Sequence, residues 1–217
     1  MMIKDDFHLL IDLGPDLRQQ LLTNDLDNID AVCITHEHND HVSGIDDIRP
    51  INFRWKKSIP IYTHSRVIGE LKRRFYYAFE DQYAARPRLS VHAIDWNERL
   101  QIGPFQVQTI RVNHGSMDIL GFKVDDVVYI TDLKSLDDQT IENIKGSKII
   151  IMSALHKRTH HSHQNLDEAI ALCKKLSARQ HTYLTHIAHQ MGFHEIESTK
   201  LPSMLSFAYD GLKLEVE

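Results

Sequence analysis

The sequence predicts one α/β domain, residues 1–217, with strands numerous enough for two packed sheets. Three observations carry this. Short β-prone apolar runs recur along the chain, a few longer segments place apolar residues at helical spacing, and no linker, repeat or low-complexity tract divides them. A chain of 217 residues with a 42% hydrophobic share can bury a core of its own.

The elements follow in order. Residues 7–12 read as a strand ending in Asp12-Leu13-Gly14, and Pro15 opens a helix running to Leu22. Residues 31–35 and 59–63 are strands. Residues 66–79 place Val67, Ile68, Leu71, Phe75, Ala78 and Phe79 at helical spacing, a stripe that faces a core. Strands follow at 90–94, 105–112, 119–124 and 127–131, with Asp125-Asp126 as the turn of a hairpin. Residues 147–153 read as a buried strand. Residues 165–177 form a helix with Leu166, Ala169, Ile170, Cys173 and Leu176 on one face. Asn165 caps it, and Glu168 three residues on completes a capping box. Residues 181–185 and 212–216 are the last strands.

Composition narrows the function. A net charge of -5 gives no support for a broad nucleic-acid surface. Cys33 lies in an apolar strand and Cys173 on an apolar helix face, so both read as core residues rather than a disulfide. The first residues lack an apolar signal region, and no run reaches membrane-spanning length, which predicts a cytoplasmic, reducing setting without a membrane partner.

The decisive segment is Thr35-His36-Glu37-His38-Asn39-Asp40-His41, just past a strand end. Three imidazoles and a carboxylate in so short a loop supply the N and O donors that a divalent metal requires. His114, Asp132 and His186 each lie at the downstream end of an apolar strand, and Asp12 shares that placement. Strand ends on one rim of a sheet can converge, so these are the candidate partners of the cluster.

The ordered set H-x-H-x-D-H, then His114, Asp132 and His186, resembles the metallo-β-lactamase superfamily, with no position substituted. The resemblance implies a four-layer αββα sandwich with two metals on one edge. It implies that His36, His38 and His114 bind one metal, that Asp40, His41 and His186 bind the other, and that Asp132 bridges both. Asp40 is then both ligand and catalytic residue, and Asp12 is the carboxylate that orients a ligating imidazole. Two divalent cations against two carboxylates and a bridging hydroxide leave the centre about one unit positive, which favours a phosphate ester. Imidazole with carboxylate suits Zn²⁺ or Mn²⁺, and Fe as well.

Thr159 to Ala169, Tyr183 to Gln190 and the end from Phe207 to Leu214 are similar to the phosphoribosyl 1,2-cyclic phosphate phosphodiesterase branch, as are Tyr62 to Phe79 and Asn113-His114-Gly115. That branch belongs to phosphonate breakdown. It carries a non-ligand active-site histidine before a helix, and His163 matches it, with His160 and His161 as solvated neighbours and His189 and His194 outside the ligand set. The helix beginning at Asn165 is expected to add amide donors for the same anion. The branch's extra N-terminal strand segment is not matched, which would leave a sheet edge open to a second copy, as in a homodimer. The expectation is a hydrolase of a small cyclic ribose phosphodiester working through a metal-bridging hydroxide. A lactonase, a thioesterase, a tRNA 3′-processing nuclease and a non-enzymatic metal-binding protein are the competing readings.

Overall fold

The computed structural model describes residues 1–80, 82–83 and 85–216. Two compact units emerge, Met1–Phe105 and Gln106–Glu217. The first contains β1 (Met2–Lys4), β2 (Phe7–Ile11), α1 (Leu17–Thr23), β3 (Ala31–Cys33), α2 (Asn39–Val42), α3 (Arg49–Trp55), β4 (Ile59–Thr63), α4 (Ser65–Arg74), α5 (Tyr76–Phe79), β5 (Leu89–Ala93) and β6 (Arg99–Ile102). Strands β1 to β5 form a sheet in sequence order. Strand β1 pairs antiparallel with β2, and β2 to β5 run parallel. Leu10, Val32, Ile34, Ile59, Ile61, Val67 and Leu71 share one buried cluster with the chain between α2 and α3. Parallel strands buried this way read as continuous apolar runs, as Ala31-Val32-Cys33-Ile34 does.

Three local expectations change here. A short strand precedes β2, turning back at Asp5 and Asp6, both at positive φ, so β1 and not β2 is the sheet edge. The segment 31–35 leaves the ladder after Cys33, because Thr35 bonds the Asp12 side chain instead. The helix expected over 66–79 breaks at Phe75, whose φ of -111° and ψ of 38° end α4. The run Phe75-Tyr76-Tyr77 has weak helix propensity, and α5 restarts with Ala78 buried.

The second unit comprises β7 (Phe105–His114, its first residue at the boundary), β8 (Met117–Val124), β9 (Val127–Ile130), α6 (Asp138–Ile144), β10 (Ile149–Ser153), α7 (Leu166–Leu176), β11 (His181–Thr185), α8 (His194–Ser198) and β12 (Leu205–Phe207). The sheet order is β12-β11-β10-β9-β8-β7-β6. Strand β8 is antiparallel to both β7 and β9, while β9 to β12 are parallel. Hence β7, β9, β10 and β11 all point the same way, and their C-terminal ends share one rim. The hairpin at Asp125-Asp126 forms as expected, with Val124 opposite Val127.

Val112, Ile130, Ile150, Met152, Ala169, Leu176 and Leu184 lie in the buried core of this unit. The capping box on α7 is present in full. The segment 212–216 is not a strand. Its alternation of Leu and Val with charged residues suits an edge, but the edge beside β11 is taken by Leu205–Phe207. Among the described residues, no helix is long and apolar enough to cross a membrane.

Candidate metal centre

In the first unit the candidate donors gather around Asp12. This residue follows β2 at φ 60° and is almost fully buried. Its Oδ1 accepts the Thr35 amide at 2.8 Å, and the Thr35 hydroxyl lies 3.0 Å from both carboxylate oxygens. Its Oδ2 lies 2.8 Å from His41 Nδ1. A carboxylate can only accept here, so His41 carries its proton on Nδ1 and turns the Nε2 lone pair outward. Nε2 lies 3.3 Å from Asp40 Oδ2.

The same logic reaches His36. Its Nδ1 is 3.0 Å from the Thr35 hydroxyl. That hydroxyl spends its hydrogen on Asp12, so it accepts from Nδ1–H, and the His36 lone pair is again on Nε2. Nε2 lies 2.9 Å from His38 Nδ1, and the His36 and His41 rings are 4.2 Å apart. One buried carboxylate therefore sets the tautomer of two imidazoles. The turn after Asp12 is pinned to the cluster: the Leu13 amide donates to the His41 carbonyl at 2.7 Å. A Cβ on Gly14 would sit 2.8 Å from the Asp40 carbonyl oxygen, so only glycine permits this approach. Glu37 pairs with Arg66 in the first turn of α4, which fixes the loop from its other side.

In the second unit the candidate donors lie on its common rim. Strand β7 runs two residues further than expected, so His114 is its last residue. Its Nδ1 donates to the Ser162 carbonyl at 2.9 Å, which leaves Nε2 as the lone-pair atom, 3.8 Å from Asp132 Oδ2. Asp132 and His186 follow β9 and β11 at φ 51° and 54°. Left-handed backbone at a non-glycine residue costs about 1–3 kcal/mol, and it is tolerated where a side chain must be aimed. His186 Nε2 lies 3.0 Å from Asp132 Oδ1. Asp132 is 2% exposed and turns Oδ2 toward His114 and Oδ1 toward His186.

His163 stands over this half-site. Its ring stacks on His186 at 5.2 Å and meets His114 edge-on at 4.6 Å. Burial pushes its pKa down to about 4, with the neighbouring histidines adding to the effect and Asp132 opposing it. The ring is thus neutral near pH 7, and its buried Nδ1 has no hydrogen-bond partner among the described residues. His160 is half-buried, with Nδ1 accepting the Ser162 amide at 3.3 Å, so it is less of a solvated neighbour than expected. His161, His189 and His194 are exposed.

The amides at the start of α7 do not serve an anion as expected. The Leu166 amide donates to the His156 carbonyl, and the Glu168 amide to Asn165 Oδ1. The Glu168 carboxylate takes the Asn165 amide, so this helix end is already occupied by a negative group. Thr35, Ser162 and Lys134 are the residues that sequence reasoning missed. Of these, only Thr35 carried a signal, its place beside His36.

The family model described as a beta-lactamase superfamily domain matches residues 8–187. A Porphyromonas gingivalis protein named octanoyltransferase is 31% identical over 211 residues, 96% of this chain, and the chain spans only 42% of that protein's length. A probable metallo-hydrolase, YhfI of Bacillus subtilis, is 26% identical over 208 residues, covering 88% of this chain and 79% of that protein. A crystal structure described as a new diphosphatase from the PhnP family superposes with a TM-score of 0.89 at 33% identity, over 97% of this chain and 80% of that one. The chain therefore belongs to the beta-lactamase superfamily and, within it, to the PhnP family.

Proposed function

We propose that the two units act as one catalytic domain, residues 1–217, which holds two divalent metal ions and hydrolyses a small anionic phosphodiester, with a cyclic ribose phosphate as the substrate of choice. In this reading His36, His38 and His114 would hold one ion, Asp40, His41 and His186 would hold the other, and Asp132 would be a ligand common to both sets. The single observation that carries it is Asp132, buried at a rim with one oxygen toward His114 and the other toward His186. The donor chemistry fits the group. Asp12 and Ser162 hold the Nδ1 protons of His41 and His114, so each presents Nε2 as a ligand atom. Imidazole and carboxylate without thiolate suit Zn²⁺, Mn²⁺ or Fe.

When bound, two such ions supply the Lewis-acid charge that activates a water and steadies a phosphoryl oxygen. The chain's own residues do the rest. Asp132 keeps the two ligand sets in register. Neutral His163 donates one N–H to the phosphate and offers its other nitrogen as a proton acceptor. An arriving anion raises that nitrogen's proton affinity, and the ring can then pass a proton to the leaving oxygen. Asp40 is exposed with its Oδ2 3.3 Å from His41 Nε2, so it would share an ion with that imidazole while remaining open to solvent.

The likeness to a PhnP-family diphosphatase favours phosphorus over carbonyl centres, and it makes a diphosphate ester the second reading. Acyl transfer through a thiol is not supported, since Cys33 is wholly buried, burial pushes its thiol up, and Cys173 packs against the core of the second unit. The net charge of -5 speaks against a long nucleic-acid substrate. A panel of cyclic ribose phosphates, diphosphate esters, lactones and thioesters, assayed with Zn²⁺- and Mn²⁺-loaded protein, tests the proposal. It predicts the highest kcat/KM on the cyclic phosphodiester. Preference for the diphosphate would select the second reading, and turnover of lactone or thioester alone would overturn both.

A further inference from the structure

The His163 ring is held by no hydrogen bond at Nδ1, so its aim depends on the backbone beneath it. Lys134 is placed to provide that aim. Its own amide donates to the Asn113 carbonyl at 2.8 Å, next to His114, and it follows Asp132 by two residues. Its Nζ reaches the His163 carbonyl at 3.5 Å and both Glu168 oxygens at 2.9 and 3.2 Å. Glu168 closes the α7 capping box by accepting the Asn165 amide at 2.9 Å, two residues past His163. Beside this, the Gln164 amide donates to the Leu133 carbonyl at 2.7 Å. One side chain thus joins the Asp132 loop, the His163 peptide and the first turn of α7.

We propose that Lys134, through Glu168 and the His163 carbonyl, is a positioning residue that holds the His163 imidazole over the Asp132 half-site. It touches no reacting atom and acts only through His163. An ammonium is suited to this because it donates three hydrogen bonds at once to convergent oxygens. This inference rests on the phosphodiesterase reading for its kinetic arm, and on the fold of the second unit for its structural arm.

The test uses the full zinc-loaded chain with Lys134→Met, Lys134→Arg, His163→Ala and the Lys134→Met/His163→Ala double variant. Lys134→Met is expected to keep its zinc content and KM. Its kcat should fall about tenfold or more on a diester with an alkoxide leaving group, and much less on p-nitrophenyl esters, whose leaving oxygen needs no proton. Lys134→Arg should restore most of the loss. In the His163→Ala background, Lys134→Met should cost nothing further, because the two act in series. The NMR contact between the His163 and His186 rings should be lost in Lys134→Met. Equal loss on both leaving groups, or full additivity with His163→Ala, would overturn the proposal. If wild type hydrolyses no phosphodiester, the function reading fails by itself. The ring contact then decides alone, and its persistence in Lys134→Met overturns the positioning role.

Discussion

At the scale of single residues, the centre is built from groups that cannot be exchanged without moving a neighbour. Asp12 is the clearest case, because its carboxylate sets His41 directly and His36 through the Thr35 hydroxyl. Asp12→Ala should weaken metal binding about 10- to 100-fold, the usual cost of removing a carboxylate behind a ligating imidazole, as read by competition with a chelator. Unchanged affinity would mean that the histidines orient themselves. His163→Ala should retain its metal and lose about 10²-fold in kcat, and metal loss would instead make His163 a ligand. The ligand run was legible in the sequence because it is contiguous and because His114, Asp132 and His186 follow strand ends in order. Asp12 shared that strand-end placement, and only its role of orienting an imidazole came through the family resemblance. Ser162 and Lys134 act through a backbone carbonyl and a long-range ammonium, which no local pattern announces, whereas the Thr35 hydroxyl at least stands beside His36.

At the scale of elements, strand ends and one helix cap place the chemistry. The parallel directions of β7, β9, β10 and β11 carry His114, Asp132 and His186 to one rim. The cap of α7 fixes the segment that carries His163. Asn165→Ala should cost about 1 kcal/mol of stability, measured by urea unfolding. Burial alone would raise the Glu168 pKa, but the Asn165 amide and Lys134 outweigh it and hold the carboxyl below its ordinary value. A carboxyl lowered in the folded state stabilises above its unfolded pKa, and that contribution fades as pH falls through the folded value. Glu168→Gln should therefore flatten the loss of stability as pH falls below the usual carboxylate range, with the difference from wild type vanishing at strongly acidic pH. Gly115 lies at φ 68°, and a Cβ there would come within 2.8 Å of Ser162 Cβ. Gly115→Ala should thus displace the carbonyl that orients His114.

Element reading succeeded where the pattern was long or capped, as for β4, β11 and α7, and failed where pairing decided the outcome. Residues 212–216 alternate like a strand, yet the three-residue segment Leu205–Phe207 holds the ladder beside β11. The short helices α2, α3, α6 and α8 carry too few turns for periodicity to show. Strands β1 and β6 are equally short, at three and four residues.

At the scale of the whole molecule, metals that bind only the folded chain, as in the proposed reading, should stabilise it as well as activate it. Ligand that binds only the folded state adds about 2.7 kcal/mol at one hundred times its Kd. Zn²⁺ or Mn²⁺ should raise Tm by several degrees and a chelator should reverse it, with Asp132→Ala showing neither change.

The most direct measurement counts metal per chain on the same sample that is assayed for turnover of a cyclic ribose phosphodiester, for wild type and Asp132→Ala. The account predicts two ions and clear turnover in wild type, with both lost in the variant. Fewer than two ions in an active wild type, or an Asp132→Ala variant that keeps both metal and activity, would contradict it.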